Sequence, residues 1–214
     1  ISGLDFENFV FLMEDDLYWK AYLSSLQIAA LSTFLTLLIG YPMAYGMARA
    51  PEQWRPTLMM LVILPFWTSF LIRVYAWVGI LSTEGFLNQA LIGLGIISDP
   101  LTILNTPVAV YIGIVYTYLP FMVLPLYASM ERLDFSLVEA GYDLYASRFQ
   151  VLRRVILPLV KPGVIAGSIL VFVPSLGAYV TPRVMGGGNQ LMIGNLIELQ
   201  FGQGRNWPLG AALS

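Results

Sequence analysis

The chain has 214 residues, of which 57% are hydrophobic and 11% are charged, and its formal net charge at pH 7 is −2. A soluble domain usually carries about a quarter charged residues, and the apolar residues here form long charge-free blocks. These values exclude a soluble enzyme, a nucleic-acid-binding protein and a disordered chain. They indicate a polytopic membrane protein.

Two residue types that supply much of protein chemistry are absent from the sequence. There is no Cys and no His, so the usual ligands of zinc, copper and haem are missing. The only lysines are Lys20 and Lys161, and neither follows a Gly, so the chain has no P-loop for a nucleotide. If the protein uses ATP, we expect a separate subunit to hydrolyse it.

Four stretches are long and apolar enough to cross a bilayer as helices. They lie at about 25–48, 57–82, 107–130 and 163–182. A further apolar stretch begins near 207 and reaches Ser214, and the chain begins at Ile1 rather than at Met. We therefore expect a single transmembrane domain over residues 1–214, with one span before residue 1 and most of a last span after residue 214.

The distribution of basic residues predicts the orientation of these spans. The loops at 49–56 and 131–162 together contain seven of the 11 Lys and Arg residues, whereas the loops on the opposite side contain three. Basic loops remain on the cytoplasmic side. We therefore place 49–56 and 131–162 in the cytoplasm.

Three residues within the spans are candidates for structural or gating roles. Pro174 and Gly177 interrupt the fourth span and are suited to a hinge. Arg73 is the one charge inside a span, and at about 1.5 Å per residue from Thr57 it lies roughly 24 Å along the helix, near the outer surface. We expect Arg73 to form a structural or gate-closing ion pair; contact with substrate is the alternative.

The cytoplasmic loop at 131–163 is predicted to contain a short amphipathic helix at about 137–147. Ser136 and Glu139 have the spacing of a capping box at its start. Small residues recur on one face of this helix. A short helix of this kind, projecting from a membrane domain, is suited to insertion into a groove of another protein.

The sequence of this loop resembles a known signature. The matching residues are Glu139-Ala140-Gly141, Asp143-Leu144, Ala146-Ser147 and Ile156-Leu157-Pro158. The run is similar to the "EAA" motif in the integral membrane subunits of binding-protein-dependent ABC importers. That motif has Ala at the position of Gly141 and Gly at the position of Tyr145. The resemblance implies an all-α transmembrane helical bundle of the type I ABC importer permease kind.

The resemblance also implies partners and a docking site. In that family the loop helix is a coupling helix that docks into an ATPase subunit. The residues implied for docking are Glu139, Ala140, Gly141, Asp143, Leu144, Ala146 and Ser147. ATP and Mg²⁺ would be bound by the ATPase, and this chain would be a transport subunit without a cofactor or metal of its own. A second permease, an extracytoplasmic substrate-binding protein and membrane lipid complete the implied partners, and the implied location is the bacterial inner membrane.

Further stretches resemble one branch of this family. Those at 64–77, 113–127, 163–187 and 206–214 are similar to the permeases of polyamine importers of the putrescine and spermidine type. A binding site for a polycation requires carboxylates or aromatic faces. No acid lies inside the four spans, and Ala178 occupies a position where polyamine permeases often have Glu. Either a partner permease supplies the carboxylates or the solute is a different one.

Aromatic residues are the remaining candidates for a substrate pathway. Most of the Tyr and Trp residues fit the interfacial belts of a membrane protein. Four lie nearer span interiors or proline kinks, and these are Trp67, Tyr116, Tyr118 and Tyr179. An ion-coupled secondary transporter is the alternative class, but it would require intramembrane carboxylates or broken-helix ion sites.

Overall fold

The computed structural model describes residues 7–188 and 191–214, which form helices and turns without a strand. The predicted all-α fold is confirmed. The helices are α1 (Glu7–Glu14), α2 (Asp16–Arg49), α3 (Arg55–Ile63), α4 (Phe70–Leu81), α5 (Phe86–Gly93), α6 (Pro107–Glu131), α7 (Ser136–Asp143), α8 (Arg148–Val151), α9 (Leu157–Leu176), α10 (Val180–Met185), α11 (Ile193–Phe201) and α12 (Trp207–Leu213).

Four helical stretches of the described residues are long and apolar enough to cross a membrane. They are Asp16–Arg49, Phe70–Gly93, Pro107–Glu131 and Arg148–Leu176, with 34, 24, 25 and 29 residues. The predicted span at 25–48 lies within α2, and the predicted span at 107–130 coincides with α6. Both helices contain internal prolines, which neighbouring groups can accommodate in a membrane helix.

The prediction of one continuous helix over 57–82 is wrong. After α3 the chain tightens into a 3₁₀ turn at Leu64–Trp67 and becomes extended at Thr68 before α4 begins. Pro65 has no N–H to continue the helix, and its carbonyl accepts the Thr68 hydroxyl at 2.8 Å. The depth predicted for Arg73 assumed an unbroken helix, and its position near the outer surface stays a prediction. Arg73 is half-buried in the first turn of α4.

The helix predicted over 163–182 begins earlier than expected. It starts at Arg148 with α8 and continues into α9 through one π-helical turn at Leu152–Ile156. The Leu157 N–H donates to the Leu152 carbonyl, five residues back. This wider turn accommodates Pro158, which has no N–H to donate in the following turn.

The same helix also ends earlier than predicted. α9 ends at Leu176, and α10 begins at Val180 after three non-helical residues. The Ala178 N–H donates to the Ser175 carbonyl at 3.3 Å, which tightens the last turn. Gly177 therefore follows the end of α9, and Pro174 lies inside α9.

The chain divides into two compact units. The first lies within Ile1–Ser32, Ser69–Val115 and Val173–Ser214, and the second consists of Thr33–Thr68 and Tyr116–Phe172. Each unit has its own buried apolar residues. Those of the second unit include Ala44, Met47, Ala48, Met122, Val123, Leu126, Met130, Val160 and Val171.

A buried asparagine organises the turn before α5 in the first unit. Asn88 is 1% exposed. Its amide nitrogen donates to the carbonyls of Leu101, Thr83 and Ser82 at 2.9, 3.1 and 3.2 Å, and its amide oxygen accepts the Leu101 N–H at 2.9 Å. One side chain thus satisfies backbone groups from two separate loop segments.

Replacing Asn88 with Leu should destabilise the protein by about 2 kcal/mol or more, because it leaves buried backbone groups without partners. Thermal unfolding of the purified protein in detergent measures the loss. Gln89→Ala is the matched control, since Gln89 is exposed and makes one bond to the Glu84 carbonyl. Equal stability of the two variants would contradict the role given to Asn88.

Candidate functional site

The loop between α6 and α9 is anchored to the second unit by buried side chains. We refer to residues 131–156 as the α7–α8 segment. Its buried residues are Leu133, Val138, Val151 and Ile156, each no more than 9% exposed. They belong to the same apolar cluster as Met47 of α2 and Met130 of α6. The segment is therefore packed against the ends of two long helices.

The start of α7 does not use the predicted capping box. Phe135 is the N-cap residue and has helical dihedral angles, so Ser136 already lies inside the helix and cannot cap it. The Ser136 N–H instead donates to Asp134 Oδ1 at 3.0 Å. Hydrogen bonds from the Ser136 side chain and backbone lower the pKa of Asp134. The stabilisation this gives is present above the usual pKa of Asp and is lost as pH falls through the lowered value.

A capping box does occur at the start of α8. Ser147 Oγ accepts the Gln150 N–H at 3.3 Å, and Gln150 Oε1 accepts the Ser147 N–H at 2.9 Å. This reciprocal pair satisfies two backbone donors of a very short helix. The Ser147 side chain, predicted for docking, is therefore engaged within the segment itself.

The end of α7 is a Schellman motif with a tyrosine in the left-handed conformation. The helix ends at Asp143, before the predicted end at 147. The Ala146 N–H donates to the Gly141 carbonyl at 3.2 Å, and the Tyr145 N–H donates to the Tyr142 carbonyl at 2.9 Å. Tyr145 has φ +59°. Glycine is the usual residue at this position of the motif.

This geometry gives a physical reason for the glycine of the "EAA" pattern. The pattern has Gly at the position of Tyr145, and that position requires a left-handed backbone. A residue with a Cβ costs about 1–2 kcal/mol there. Tyr145 is nevertheless 98% exposed, so the described structure offers no packing that offsets this cost.

The α7–α8 segment presents several apolar side chains on its surface. Leu144 is 81% exposed, and Phe149 is 68% exposed. Monomeric soluble surfaces seldom expose several such residues close together unless they contact a partner. Tyr145 is exposed as well, and we call these three exposed side chains of the segment the α7–α8 apolar surface (Leu144, Tyr145 and Phe149).

The residues predicted for docking divide into two groups. Those with exposed side chains are Glu139, Ala140, Asp143, Leu144 and Ser147. Gly141 and Ala146 are half-buried, and a Cβ added to Gly141 would lie 3.2 Å from Val151 Cγ2. Gly141 therefore allows α7 to approach α8, and it supports the segment from inside.

The aromatic pathway candidates of the second unit lie in different surroundings. Tyr116 lines an apolar groove of about 470 Å³ together with residues of α2 and α3. The Tyr118 ring lies 6.2 Å from that of Phe121, which in turn makes an edge contact with Phe66 at 5.0 Å. Trp67 is 88% exposed. Of these residues, Trp67 offers the most accessible ring.

The remaining candidate, Tyr179, lies at the break between α9 and α10 in the first unit. Its carbonyl accepts the Asn195 amide at 3.0 Å. The start of α11 approaches the break so closely that a Cβ on Gly194 would lie 2.7 Å from the Gly177 carbonyl oxygen. Only glycine fits at Gly194 without a shift of backbone.

An ion pair joins α10 to α11 beside this break. Arg183 Nη1 lies 2.8 Å from Glu198 Oε1, and both side chains are partly exposed. The predicted spans leave residues 183–206 as a loop, so Asn195 and Glu198 are not among the candidates that the sequence indicates. Their spacing of three residues, which places them on one face of a helix, could have identified them.

The sequence matches the family described as "Binding-protein-dependent transport system inner membrane component" over residues 36–208. The spermidine/putrescine transport system permease protein PotB of Salmonella typhimurium is 48% identical over 208 residues, which are 97% of this chain and 72% of that protein. PotB of Haemophilus influenzae is 47% identical over the same shares. A bacterial alginate ABC transporter, solved with an alginate-bound periplasmic protein, matches the fold with a TM-score of 0.72 and 20% identity, over 98% of this chain and 76% of that one.

Replacing Tyr145 with Gly should stabilise the α7–α8 segment by about 1 kcal/mol, since glycine adopts the left-handed conformation without penalty. Tyr145→Ala is the matched control, because it removes the ring but keeps the Cβ. Hydrogen exchange at the Ala146 amide measures the difference. Equal protection in the two variants would show that no backbone strain exists at this position.

Proposed function

Because the chain belongs to the family of inner membrane components of binding-protein-dependent transport systems, we propose that it is a permease subunit of an ATP-driven importer of polyamines such as spermidine and putrescine. The observation that carries the choice of solute is the 48% identity to a spermidine/putrescine permease over 97% of the chain. The family resemblance inferred from the "EAA" run is thus confirmed. The chain works in a bacterial inner membrane as a multi-pass subunit.

ATP is hydrolysed in a separate subunit. The sequence has no P-loop, so ATP and Mg²⁺ bind the ATPase. Conformational change in the ATPase then moves this chain. The α7–α8 segment is suited to transmit this conformational change. Its inner side is buried with the ends of α2 and α6, and its outer side exposes Leu144, Tyr145 and Phe149.

Docking combines apolar and charged contacts. The α7–α8 apolar surface enters a groove of the ATPase, as short helices with exposed apolar residues do in other complexes. Glu139 and Asp143 are exposed on α7 and meet basic groups at the rim of that groove. Gly141 and Ala146 hold the segment in shape and stay out of the contact.

The solute passes acceptors at the break between α9 and α10. The ammonium groups of a polyamine are donors, so they bind oxygen atoms and aromatic faces. Asn195 Oδ1 is buried and has no hydrogen-bond partner among the residues that the structure describes. Glu198 supplies a carboxylate beside it on α11, although Arg183 neutralises part of its charge. A second permease, fed by an extracytoplasmic binding protein, supplies the rest of the path.

The solute assignment is tested in proteoliposomes that contain both permeases and the ATPase. With ATP inside and a polyamine-loaded binding protein outside, we expect spermidine or putrescine uptake that persists when ion gradients are collapsed. Uptake that stops with the gradient would instead favour a secondary transporter. Uptake of another solute, without polyamine uptake, would be consistent with an ATP-driven importer of the same family but would exclude polyamines as its solute.

Docking is tested by replacing Leu144 with Ser. Removing an apolar contact of this size should lower the affinity of the ATPase for the membrane subunits about tenfold. Co-purification of the ATPase at graded concentrations measures this loss. The matched control is Leu94→Ser, because Leu94 is 74% exposed but lies far from the α7–α8 segment in sequence. Equal affinities for the two variants would refute docking through Leu144.

A further inference from the structure

The cytoplasmic end of α2 carries a column of side chains on one face. Tyr41, Tyr45 and Arg49 are spaced four residues apart and therefore lie above one another on the helix. The rings of Tyr41 and Tyr45 are nearly parallel, with 6.5 Å between centroids and 6° between planes. Arg49 Nη1 donates to the Tyr45 hydroxyl at 3.3 Å.

A residue from the α7–α8 segment completes this column. The Arg49 Cζ atom lies 5.7 Å from the centroid of the Tyr45 ring and 5.6 Å from that of the Phe135 ring. The two rings meet edge to face at 6.2 Å. The guanidinium is thus within cation–π distance of one ring from α2 and one from the segment.

Phe135 is placed where movement of α7 begins. It is the N-cap residue of α7, so a rotation or shift of α7 must move its ring against Arg49. Val138, one turn further on, is buried in the same cluster as Met47 of α2. Arg49 takes part in no ion pair of the described residues, so its contacts with the two rings define its position.

We propose that Arg49 and Phe135 form a positioning joint that transmits movement of α7 to α2 during transport. The proposal rests on the function proposed above and names the residues through which the α7–α8 segment acts on a membrane-spanning helix. Neither residue touches the solute. Arg49 also lies at the C-terminus of α2, where a cation is favoured by the helix dipole, which helps to hold the guanidinium at the joint.

A simpler role for Arg49 is that of a basic anchor on the cytoplasmic side. The two roles differ in their dependence on Phe135. An anchor requires only the charge, whereas a joint requires the aromatic face as well. Phe135→Leu keeps the apolar volume and removes the π-system, and Phe135→Tyr keeps the ring.

The test uses the complete reconstituted complex with Arg49→Gln, Phe135→Leu, the double variant and Phe135→Tyr. The control is Lys161→Gln, which removes an exposed charge at the start of α9, on the same side of the membrane and outside the α7–α8 segment. The measurement is solute transported per ATP hydrolysed, together with ATPase co-purification. We expect each single loss variant to lower transport per ATP by about three- to tenfold, with ATPase affinity unchanged. The double variant should lose no more than the larger single effect, and Phe135→Tyr and Lys161→Gln should behave as wild type.

Several results would overturn the joint. These are wild-type coupling of Arg49→Gln and Phe135→Leu, additive losses in the double variant, or an equal loss in Lys161→Gln. If the Phe135→Leu complex fails to assemble, transport per ATP of Arg49→Gln tests the proposal by itself. Arg49 is exposed, so its replacement leaves no cavity. Failure of the docking proposal is distinguishable, because Leu144→Ser would then bind the ATPase normally. If Leu144→Ser binds the ATPase more weakly while Arg49→Gln and Phe135→Leu transport as much solute per ATP as wild type, the joint is rejected and the docking proposal stands.

Discussion

The burial of Leu133, Val138, Val151 and Ile156 against the ends of α2 and α6 is the interaction on which the proposed mechanical role of this chain depends. A polar loop attached only by its two ends would absorb a force by bending. Close-packed interiors have low compressibility and transmit strain. The segment is therefore expected to move as part of the second unit and to present a fixed surface to the ATPase in the proposed complex.

Helix interruptions are the second recurring feature, and each has local bonds that make it tolerable. Backbone groups within a membrane need internal partners. At Thr68 the side chain and the backbone N–H both donate to the Pro65 carbonyl. At the break after α9, the Tyr179 carbonyl accepts the Asn195 amide, and Gly194 lets α11 come close to the exposed backbone.

Tyr145 combines an unfavourable backbone conformation with an almost fully exposed ring. Its backbone conformation is the one that glycine adopts without cost, and its ring has almost no contact within the chain. Strained residues tend to cluster at functional sites, where the strain serves a contact made elsewhere. In the proposed complex the Tyr145 ring gains from the ATPase surface what the backbone loses.

Sequence alone determined the all-α membrane class, the helices containing 25–48 and 107–130, and the family, because these depend on composition, local periodicity and a contiguous motif. It also found the α7 helix and its start to within one residue, but the predicted capping box does not form and the helix ends at Asp143, before 147. The cap depends on the helical dihedral angles of Phe135, and the end depends on the left-handed conformation of Tyr145. Contacts between distant residues were decided by the tertiary structure alone. The approach of Arg49 to Phe135, and of Gly194 to the break after α9, depends on packing between helices far apart in the chain, and no local pattern encodes that.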